Sequence, residues 1–360
     1  MNTITEIQIR KDKLDETRAI TRDAVALADG DVLVKVDAFA ITANNVTYGV
    51  VGDRLGYWKF FPVVEDGWGI VPVWGVGIVE QSTRDDINVG ERLYGYWPMA
   101  SHAILTPAKV SDARFFDGAP HRAELAAVYN NYTRLQNEAG YDPDFDKYRM
   151  TLLPLYATSY CLYDFFLDND WFGAEQIIIP SASSKTAIGT AYAIAEDERK
   201  MPLIAITSDR NLATVNALDL YDEVVTYDTV NKINSSIPSA LIDMSGNGGI
   251  ISSLHKILGS EMKYTSMVGV THFDANKMGP DYIADRSQMF FAPGHIAKRA
   301  KEWGRGEFER KAHAFWLRTA NQSRSWLTIR TGEGSDDVIT AWSEVYAGKT
   351  PPSDAWVVGF

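Results

Sequence analysis

The stretch from Pro180 to Gly189 combines small hydroxyl side chains with a lysine, a set of groups that can bind phosphate. The candidate ligands are Ser183, Ser184, Lys185 and Thr186. A short apolar run precedes them and a helical pattern follows, and the N-terminus of a helix offers free N–H groups and a positive dipole end to an anion. Of the glycines that normally let a dinucleotide approach, only Gly189 is present. The alternative interpretation is an ordinary helix capped by Ser181 or Ser183.

A second polar group stands at the tip of the next apolar run. Thr207 occupies the place where an NAD site usually carries an acidic residue that binds both ribose hydroxyls. Ser208 and Arg210 can instead bind a 2′-phosphate through a hydroxyl and a guanidinium, and Tyr227 can donate a further hydrogen bond. This pattern favours NADPH over NADH as the cofactor. The alternative is that the remaining polar residues cap the following helix: Asp209 and Asn211.

A third candidate stretch is the glycine-rich run from Asp243 to Gly249. Its glycines allow a backbone to pass close to a ligand, and Ser245 and Gly246 are the residues predicted to do so next to a cofactor. A tight turn without a ligand is the alternative interpretation, and both can hold together.

Metal and hydrolase chemistry are disfavoured. Cys161 is the only cysteine, which excludes a cysteine-based zinc site and an intramolecular disulfide. No two histidines stand at a spacing typical of metal ligands; they are His102, His121, His255, His272, His295 and His313. The sequence contains no G-x-S-x-G motif, so an α/β-hydrolase is not indicated. We therefore predict no metal site.

The middle of the chain must position these groups. Short apolar runs alternate with helical patterns from about residue 155 to 275, at 175–179, 203–206, 223–226, 240–244 and 264–270. Continuous apolar strands that alternate with helices indicate a parallel sheet covered on both faces, in a doubly wound α/β arrangement. Ligands bind outside the carboxyl ends of such strands, where the three polar stretches lie.

The flanking regions differ in character. Residues 1–110 are predicted to be β-rich, since Asp31 to Phe39 alternates between apolar and polar residues. The segment 113–149 is predicted as a helical insertion, with a helix over about Ala123 to Glu138. Ile296 to Leu317 has a helical pattern, and Trp342 to Phe360 is predicted as helix, turn and strand.

Aromatic residues are concentrated in the N-terminal part, at Tyr57, Trp58, Phe60, Phe61, Trp68, Trp74, Tyr94, Tyr96 and Trp97. Most are expected in a β core, and a few can line a flat apolar pocket for an aromatic substrate or an enone.

Bulk properties exclude other partners. The net charge of -12 disfavours nucleic acid, because an acidic surface repels phosphate backbones. No apolar run is long enough to span a membrane, and the first residues show no signal peptide. We expect a cytoplasmic protein.

Four stretches carry a resemblance to a known family: Gly30 to Val36, Ala40 to Tyr48, the set of Ser208, Arg210 and Tyr227, and Ala341 to Thr350. In these the chain resembles the DUF2855 family, within the zinc-free quinone oxidoreductase-like branch of the medium-chain dehydrogenase/reductase superfamily. It departs from that superfamily in two places. Trp74 to Gly77 replaces the Gly-His-Glu motif of zinc-type members, and Ala182 to Ala187 replaces the loop Ala-x-Gly-Gly-Val-Gly.

The resemblance implies two domains and a partner. A Rossmann-type cofactor domain is expected at 151–275, and a GroES-like catalytic domain at 1–150 and 276–360, with the helical insertion near 113–149. Members often extend the cofactor-domain sheet across a two-fold axis, so a homodimer is expected.

It also implies a function: an NADPH-dependent, zinc-independent reductase of an enone, a quinone or a carbonyl compound, with an aromatic or apolar small molecule as substrate. Tyr48 is then the expected proton donor, Asn44 or Asn45 would hold the carbonyl oxygen or the nicotinamide ribose, and Tyr57 is a second candidate donor. Two alternatives stay open, a redox-silent member that acts as a lyase or hydratase, and a non-catalytic nucleotide-binding protein.

Overall fold

The computed structural model describes residues 3–23, 26–269, 277–304 and 306–360 of the 360-residue chain. The strands are β1 (Thr3–Arg10), β2 (Lys13–Asp23), β3 (Val32–Ile41), β4 (Trp68–Gly69), β5 (Pro72–Ser82), β6 (Arg92–Pro98), β7 (His102–Leu105), β8 (Pro107–Ala108), β9 (Arg114–Asp117), β10 (Asn131–Arg134), β11 (Gln176–Pro180), β12 (Leu203–Thr207), β13 (Glu223–Thr226), β14 (Ser239–Asp243), β15 (Met262–Met267), β16 (Ser287–Met289), β17 (Thr328–Glu333) and β18 (Asp354–Gly359). The α-helices are α1 (Ala43–Val50), α2 (Gly52–Leu55), α3 (Asp146–Asp168), α4 (Lys185–Ala195), α5 (Leu212–Ala217), α6 (Gly248–Leu258), α7 (Ala292–Trp303), α8 (Glu307–Ser323) and α9 (Ser335–Tyr346).

The chain divides into two compact units. The first comprises Met1–Thr151 and Thr328–Phe360, and the second comprises Leu152–Leu327. The sequence placed the second boundary at 275/276. Both of these residues lie outside the described ranges, as does Val270 at the end of the fifth predicted strand.

That second boundary is corrected to 327/328, because the elements between residues 277 and 327 pack within the second unit. The three-residue strand β16 pairs in parallel with β15 and lengthens the sheet. Cys161 of α3 forms a buried cluster with Phe308 and Ala312 of α8. A strand of three residues is too short to leave a periodic pattern in the sequence, so the continuation of the sheet could not be anticipated.

The second unit confirms the expected doubly wound parallel sheet. Its strand order is β13-β12-β11-β14-β15-β16, and every described pairing between neighbours is parallel. All residues of β11, β12 and β14 are buried. Uninterrupted burial means that helices cover both faces, and it explains why these strands are continuous apolar runs in the sequence.

Gly189 allows α4 to pack closely against α3. A Cβ atom at this position would lie 2.5 Å from the hydroxyl oxygen of Ser159 and 2.6 Å from the ring of Tyr156, both on α3. Atoms cannot approach so closely without displacement of the helices. The single glycine retained in the phosphate-loop region therefore serves helix packing.

A left-handed turn leads from α3 into the sheet. Four successive residues, from Asp170 to Gly173, have φ between 46° and 73°. Three of them carry a Cβ, for which this conformation costs roughly 1–2 kcal/mol per residue. Burial offsets that strain, since Trp171 is fully buried and the ring of Phe172 stacks on Tyr264 at 3.8 Å.

The first unit is built from two sheets. One has the order β2-β1-β4, and the larger has the order β17-β18-β3-β5-β6-β10-β9-β8, with β7 paired to β3. The predicted strand near Asp31 to Phe39 corresponds to β3, and the predicted closing helix, turn and strand correspond to α9 and β18.

The predicted helical insertion at 113–149 is wrong. This segment forms β9 and β10 with short 3₁₀ turns between them, and β10 occupies part of the helix predicted over Ala123 to Glu138. In β10 the residues alternate between half-buried and buried, with Tyr132 in the core, because the strand pairs with both β6 and β9. Sheet pairing here prevails over a weak local helix pattern.

A buried ion pair fixes the 3₁₀ turn that follows β9. Arg122 Nη1 lies 3.0 Å from Asp117 Oδ2, and the two side chains are 2% and 1% exposed. The same guanidinium donates to the Tyr132 hydroxyl over 3.0 Å. The segment is thus tied to the sheet by charge as well as by strand pairing.

Candidate active site

Helix α1 presents Tyr48 from a firmly anchored position. The backbone N–H of Thr42 donates to Asn45 Oδ1 over 2.8 Å, which closes the first turn of the helix. Asn45 Nδ2 in turn donates to the carbonyl oxygen of Pro72 at the start of β5, over 3.0 Å. Asn45 is buried and engaged in holding the helix. Of the two asparagines predicted to act with Tyr48, only Asn44 contacts the Tyr48 hydroxyl.

The Tyr48 hydroxyl oxygen accepts two hydrogen bonds. Asn44 Nδ2 donates over 2.7 Å and Trp74 Nε1 over 3.2 Å. Asn44 and Tyr48 are four residues apart, so they share one face of α1. An indole nitrogen can only donate, and the contact with Trp74 leaves the Tyr48 proton free to be donated elsewhere.

Aromatic rings surround this hydroxyl. The Tyr57 ring lies 4.4 Å from that of Tyr48, and the Tyr129 ring lies 4.7 Å from that of Tyr96. The Tyr57 and Tyr129 hydroxyls are joined by a hydrogen bond of 2.9 Å. Tyr48 and Tyr57, the two proton donors predicted from the sequence, thus lie together. Tyr96 and Tyr129, which were not predicted as site residues, complete the cluster.

Burial sets the protonation state of this cluster. It raises the pKa of Tyr48, the neighbouring phenol of Tyr57 raises it further, and the N–H donors of Trp74 and Asn44 lower it only in part. Burial likewise raises the pKa of Tyr57, Tyr96 and Tyr129. All four phenols are therefore protonated and able to donate at neutral pH.

In the second unit, the loop between β11 and α4 lies beside the end of β12. The backbone N–H of Ala182 donates to the carbonyl oxygen of Ile206 over 3.0 Å. Ser181 has a φ of 59°, in the left-handed region that glycine normally occupies. The alternative interpretation supposed that Ser181 or Ser183 caps α4, but neither residue does so. Ser184 takes this role, and its side chain accepts from the N–H of Ala187.

Side chains from other elements brace this loop. The Tyr227 hydroxyl accepts the Ser181 N–H over 3.1 Å, and the Tyr221 hydroxyl donates to the Ala182 carbonyl over 3.0 Å. Asn211 Nδ2 donates to the Ser183 hydroxyl over 3.2 Å and makes no capping hydrogen bond to α5. Tyr227 was selected from the sequence as a phosphate ligand, whereas the structure places its hydroxyl on the loop backbone.

The remaining loop residues selected from the sequence, Lys185 and Thr186, are half-buried in the first turn of α4. A cation and a hydroxyl at the N-terminus of an 11-residue helix form an environment that favours an anion.

Two hydroxyls at the tip of β12 lack hydrogen bonds. Thr207 Oγ1 and Ser208 Oγ are buried atoms with no partner among the residues that the structure describes. Arg210, two residues further on, is exposed and forms no ion pair within the same ranges. Buried hydroxyls are almost always satisfied, so this group is typical of a site that a polar ligand completes.

The end of β14 carries a compact polar turn. The buried carboxylate of Asp243 accepts from the N–H groups of Ser245 and Gly246 at 2.9 and 3.0 Å, and from the Ser245 hydroxyl at 2.6 Å. Gly246 has a φ of 65°. The hydroxyl of Ser245 is therefore engaged in the turn, and the tight-turn interpretation of this stretch holds.

The sequence did not identify Tyr129 or Tyr221 as site residues. Tyr129 was hidden in the segment predicted as a helix. Tyr221 bonds to a carbonyl 39 residues earlier in the chain, a contact with no local signal. Trp74 and Tyr96 were noted as members of an aromatic-rich region and were not selected as site residues.

The described ranges contain no group of three or more histidine, cysteine or acidic side chains arranged to hold a metal ion. His272 lies outside those ranges. Within them, no helix is both long enough and apolar enough to cross a membrane.

The sequence matches the profile of a family described as "Protein of unknown function (DUF2855)" over residues 39–351. No curated protein matches the sequence.

Several solved structures are similar to the chain over its whole length. CurA from Vibrio vulnificus in complex with NADPH is 14% identical, with 99% of this chain and 98% of that chain covered and a TM-score of 0.64. A mycobacterial protein complexed with NADPH is 12% identical, with 99% and 100% covered and a TM-score of 0.59. The quinone oxidoreductase from Coxiella burnetii is 13% identical, with 100% of each chain covered and a TM-score of 0.51. These likenesses concern the fold, and they confirm a Rossmann-type unit together with a GroES-like unit.

Proposed function

The chain belongs to the DUF2855 family, and from this premise we propose that it is an NADPH-dependent, zinc-independent reductase of an enone, a quinone or another carbonyl compound. The observation that carries the proposal is the group at the tip of β12, where two buried hydroxyls without partners stand beside an exposed arginine and next to a helix N-terminus. Two of the similar structures hold NADPH.

The residues present fit this cofactor. Ser208 and Arg210 would hold the 2′-phosphate by a hydroxyl and a guanidinium, and the unpartnered Thr207 hydroxyl would bind the ribose. The pyrophosphate would lie at the N-terminus of α4, facing Ser184, Lys185 and Thr186. Ser183 would support the loop through its hydrogen bond with Asn211. The Ser245–Gly246 turn would approach the cofactor with its backbone.

When bound, NADPH supplies a hydride to an electrophilic carbon of the substrate. The chain must then stabilise the charge that develops on the carbonyl oxygen and deliver a proton. Tyr48 is the proposed proton donor, since its own oxygen is already occupied by the N–H groups of Asn44 and Trp74. Tyr57 is the second donor in the cluster. The surrounding rings favour an aromatic or apolar substrate.

The cofactor assignment is tested by replacing Arg210 with alanine. Because a hydrogen bond to a charged group contributes roughly 1.5–3 kcal/mol, the Kd for NADPH should rise about 10- to 100-fold while the Kd for NADH stays nearly constant. Fluorescence titration of each reduced nucleotide measures both constants.

The matched control is Arg199→Ala, which removes another exposed arginine of the same unit, paired with Asp170. It should leave both constants unchanged. An equal loss of NADPH and NADH affinity in Arg210→Ala would contradict the 2′-phosphate assignment, and a wild-type chain whose melting temperature rises with neither nucleotide would contradict cofactor binding altogether.

A nucleotide-binding protein without redox chemistry, whether a lyase-type enzyme or a non-catalytic binder, is the second candidate. It is favoured by the contact between Tyr227 and the Ser181 N–H, which withdraws one backbone donor from the pyrophosphate. For this second candidate we expect that the chain binds a dinucleotide but that the nicotinamide absorbance does not change when enones and quinones are added.

We also propose that two copies pair through β16. This strand is hydrogen-bonded to β15 and stands at the end of the described sheet order. Met289 and Phe291 beside it are 60% and 67% exposed, which is unusual for large apolar side chains unless a partner covers them. Sedimentation should show twice the chain mass of 40.1 kDa, and Met289→Lys should shift the species to the monomer. A monomeric wild-type chain would contradict the pairing.

A further inference from the structure

A small cleft opens between three helices of the second unit, and we call it the helix cleft. It has a volume of about 220 Å³, and its lining residues are Tyr160 and Tyr163 of α3, Ala193 and Glu196 at the C-terminal end of α4, and Phe315 and Arg318 of α8. Sites for drug-sized ligands occupy roughly 300–1,000 Å³. The helix cleft therefore has room for one ring with a short polar group.

The helix cleft is separate from the candidate cofactor site. Lys185 begins α4 beside the loop that follows β11, whereas Ala193 lies near the other end of the helix. At about 1.5 Å per residue, these two positions are roughly 12 Å apart along the helix axis. A ligand in the helix cleft would thus contact the end of α4 that faces away from that loop.

Aromatic rings form the walls of the helix cleft. The ring of Tyr160 lies 5.6 Å from that of Phe315 and 6.1 Å from that of Tyr163. The Tyr163 hydroxyl donates to Asp197 Oδ2 over 2.6 Å, which fixes this ring in place. Ala193 contributes only a methyl group, so the space between the rings stays open. Walls of this kind favour a flat, apolar ligand body.

The Tyr160 hydroxyl is a donor that nothing in the described part of the chain uses. It makes no hydrogen bond there, and the side chain is half-buried. Burial raises the pKa of Tyr160 to about 12, and the nearby charge of Arg318 lowers it only in part. The phenol therefore keeps its proton at neutral pH. A protonated hydroxyl without an acceptor favours a ligand group that accepts a hydrogen bond.

Arg318 supplies a positive charge at the mouth of the helix cleft. Its Nη2 donates to Glu196 Oε2 over 2.8 Å and its Nη1 to the Ala314 carbonyl over 3.1 Å. A guanidinium has five N–H groups, so donors remain for a further acceptor. The side chains of Arg318 and Glu196 are 56% and 39% exposed, which places this ion pair where a ligand would enter.

We propose that the helix cleft is a binding site for a small aromatic carboxylate. The ring of the ligand would lie among Tyr160, Tyr163 and Phe315. Its carboxylate would accept from the Tyr160 hydroxyl and from Arg318, and a charged acceptor makes both hydrogen bonds stronger than a neutral one does. Glu196 does not repel this ligand strongly, because Arg318 already balances its charge. The proposal does not depend on the proposed reductase activity.

The test measures binding of benzoate to the full chain without any dinucleotide, by isothermal titration calorimetry. Benzamide is the matched neutral compound, since it has the same ring and nearly the same shape. We expect benzoate to bind at least about tenfold more tightly than benzamide. Tyr160→Phe should weaken benzoate binding about tenfold and affect benzamide less. This variant should fold normally, because the hydroxyl that it removes bonds to no other described residue.

A double variant tests the guanidinium without a change in net charge. Arg318→Met with Glu196→Gln removes both members of the ion pair at the mouth, and benzoate binding should weaken about tenfold or more. The control is Lys256→Met, which removes an exposed cation of α6 in the same unit, paired with Asp281. It should leave benzoate binding unchanged.

Three results would overturn the site. They are the absence of measurable benzoate binding, an affinity for benzamide or benzylamine equal to that for benzoate, and an unchanged benzoate affinity in Tyr160→Phe. Because no nucleotide is present, these results are independent of whether the chain reduces any substrate with NADPH.

Discussion

Replacing Tyr48 with phenylalanine should lower kcat for NADPH-dependent reduction by about 10²- to 10⁴-fold, the usual contribution of a positioned general acid. The ring and its packing against Tyr57 remain in this variant, so the loss would come from the missing proton. The Kd for NADPH should stay the same, because the candidate cofactor residues lie in the other unit. Steady-state kinetics with a quinone and an enone, together with a nucleotide titration, measure both quantities.

The pH dependence gives an independent check. Burial and the neighbouring Tyr57 phenol raise the pKa of Tyr48, so its proton is retained at pH values where an ordinary tyrosine, with a pKa of about 10, begins to ionise. The activity of the wild-type chain should therefore show no loss between about pH 8 and 10 from ionisation of this group. A variant Tyr48→Phe with wild-type kcat would remove Tyr48 from the mechanism, whatever the pH profile.

Replacing Arg122 with methionine should lower the free energy of unfolding by about 3–5 kcal/mol, because Asp117 would be left as a buried charge without its partner. The carboxylate keeps the backbone donors of Thr106 and Ala119, which places the expected loss at the lower end of this range. Urea denaturation followed by circular dichroism measures the change.

Two variants serve as controls for this effect. Lys13→Met removes an exposed ion pair with Glu16 in the same unit and should cost less than about 1 kcal/mol. The double variant Asp117→Asn with Arg122→Met should recover part of the stability, because no unpaired charge remains. An Arg122→Met variant as stable as Lys13→Met would show that the buried pair does not hold this segment.

The parallel sheet was predictable because its strands are buried on both faces. Residues such as Ile177 to Ile179 are apolar without interruption, and short runs of this kind that alternate with helical patterns are typical of a parallel sheet. The strand β10 was not predictable for the opposite reason. Its conformation depends on pairing with β6 and β9, which a local pattern within the strand does not reveal.

The candidate site was predictable only where residue type alone indicates chemistry. Ser208 and Arg210 were selected because a hydroxyl and a guanidinium suit a phosphate. The alternative interpretation had Asn211 capping a helix, whereas its amide donates to the Ser183 hydroxyl, since the fold brings the two together across 28 residues. The four tyrosines around the Tyr48 hydroxyl come from α1, from β6, from the 3₁₀ turn at Tyr57–Lys59 and from a segment misread as helix, so their convergence could be seen only in three dimensions.

The braced loop between β11 and α4 has a thermodynamic consequence for ligand binding. Glycine has more accessible backbone conformations than other residues, and fixing the backbone of one residue costs about 1–2 kcal/mol of conformational entropy. Here Tyr221, Tyr227 and Asn211 already fix the loop in the chain without ligand. The entropy of ordering is lost when the chain folds, so an arriving dinucleotide meets a preorganised surface and its association carries a smaller entropic penalty.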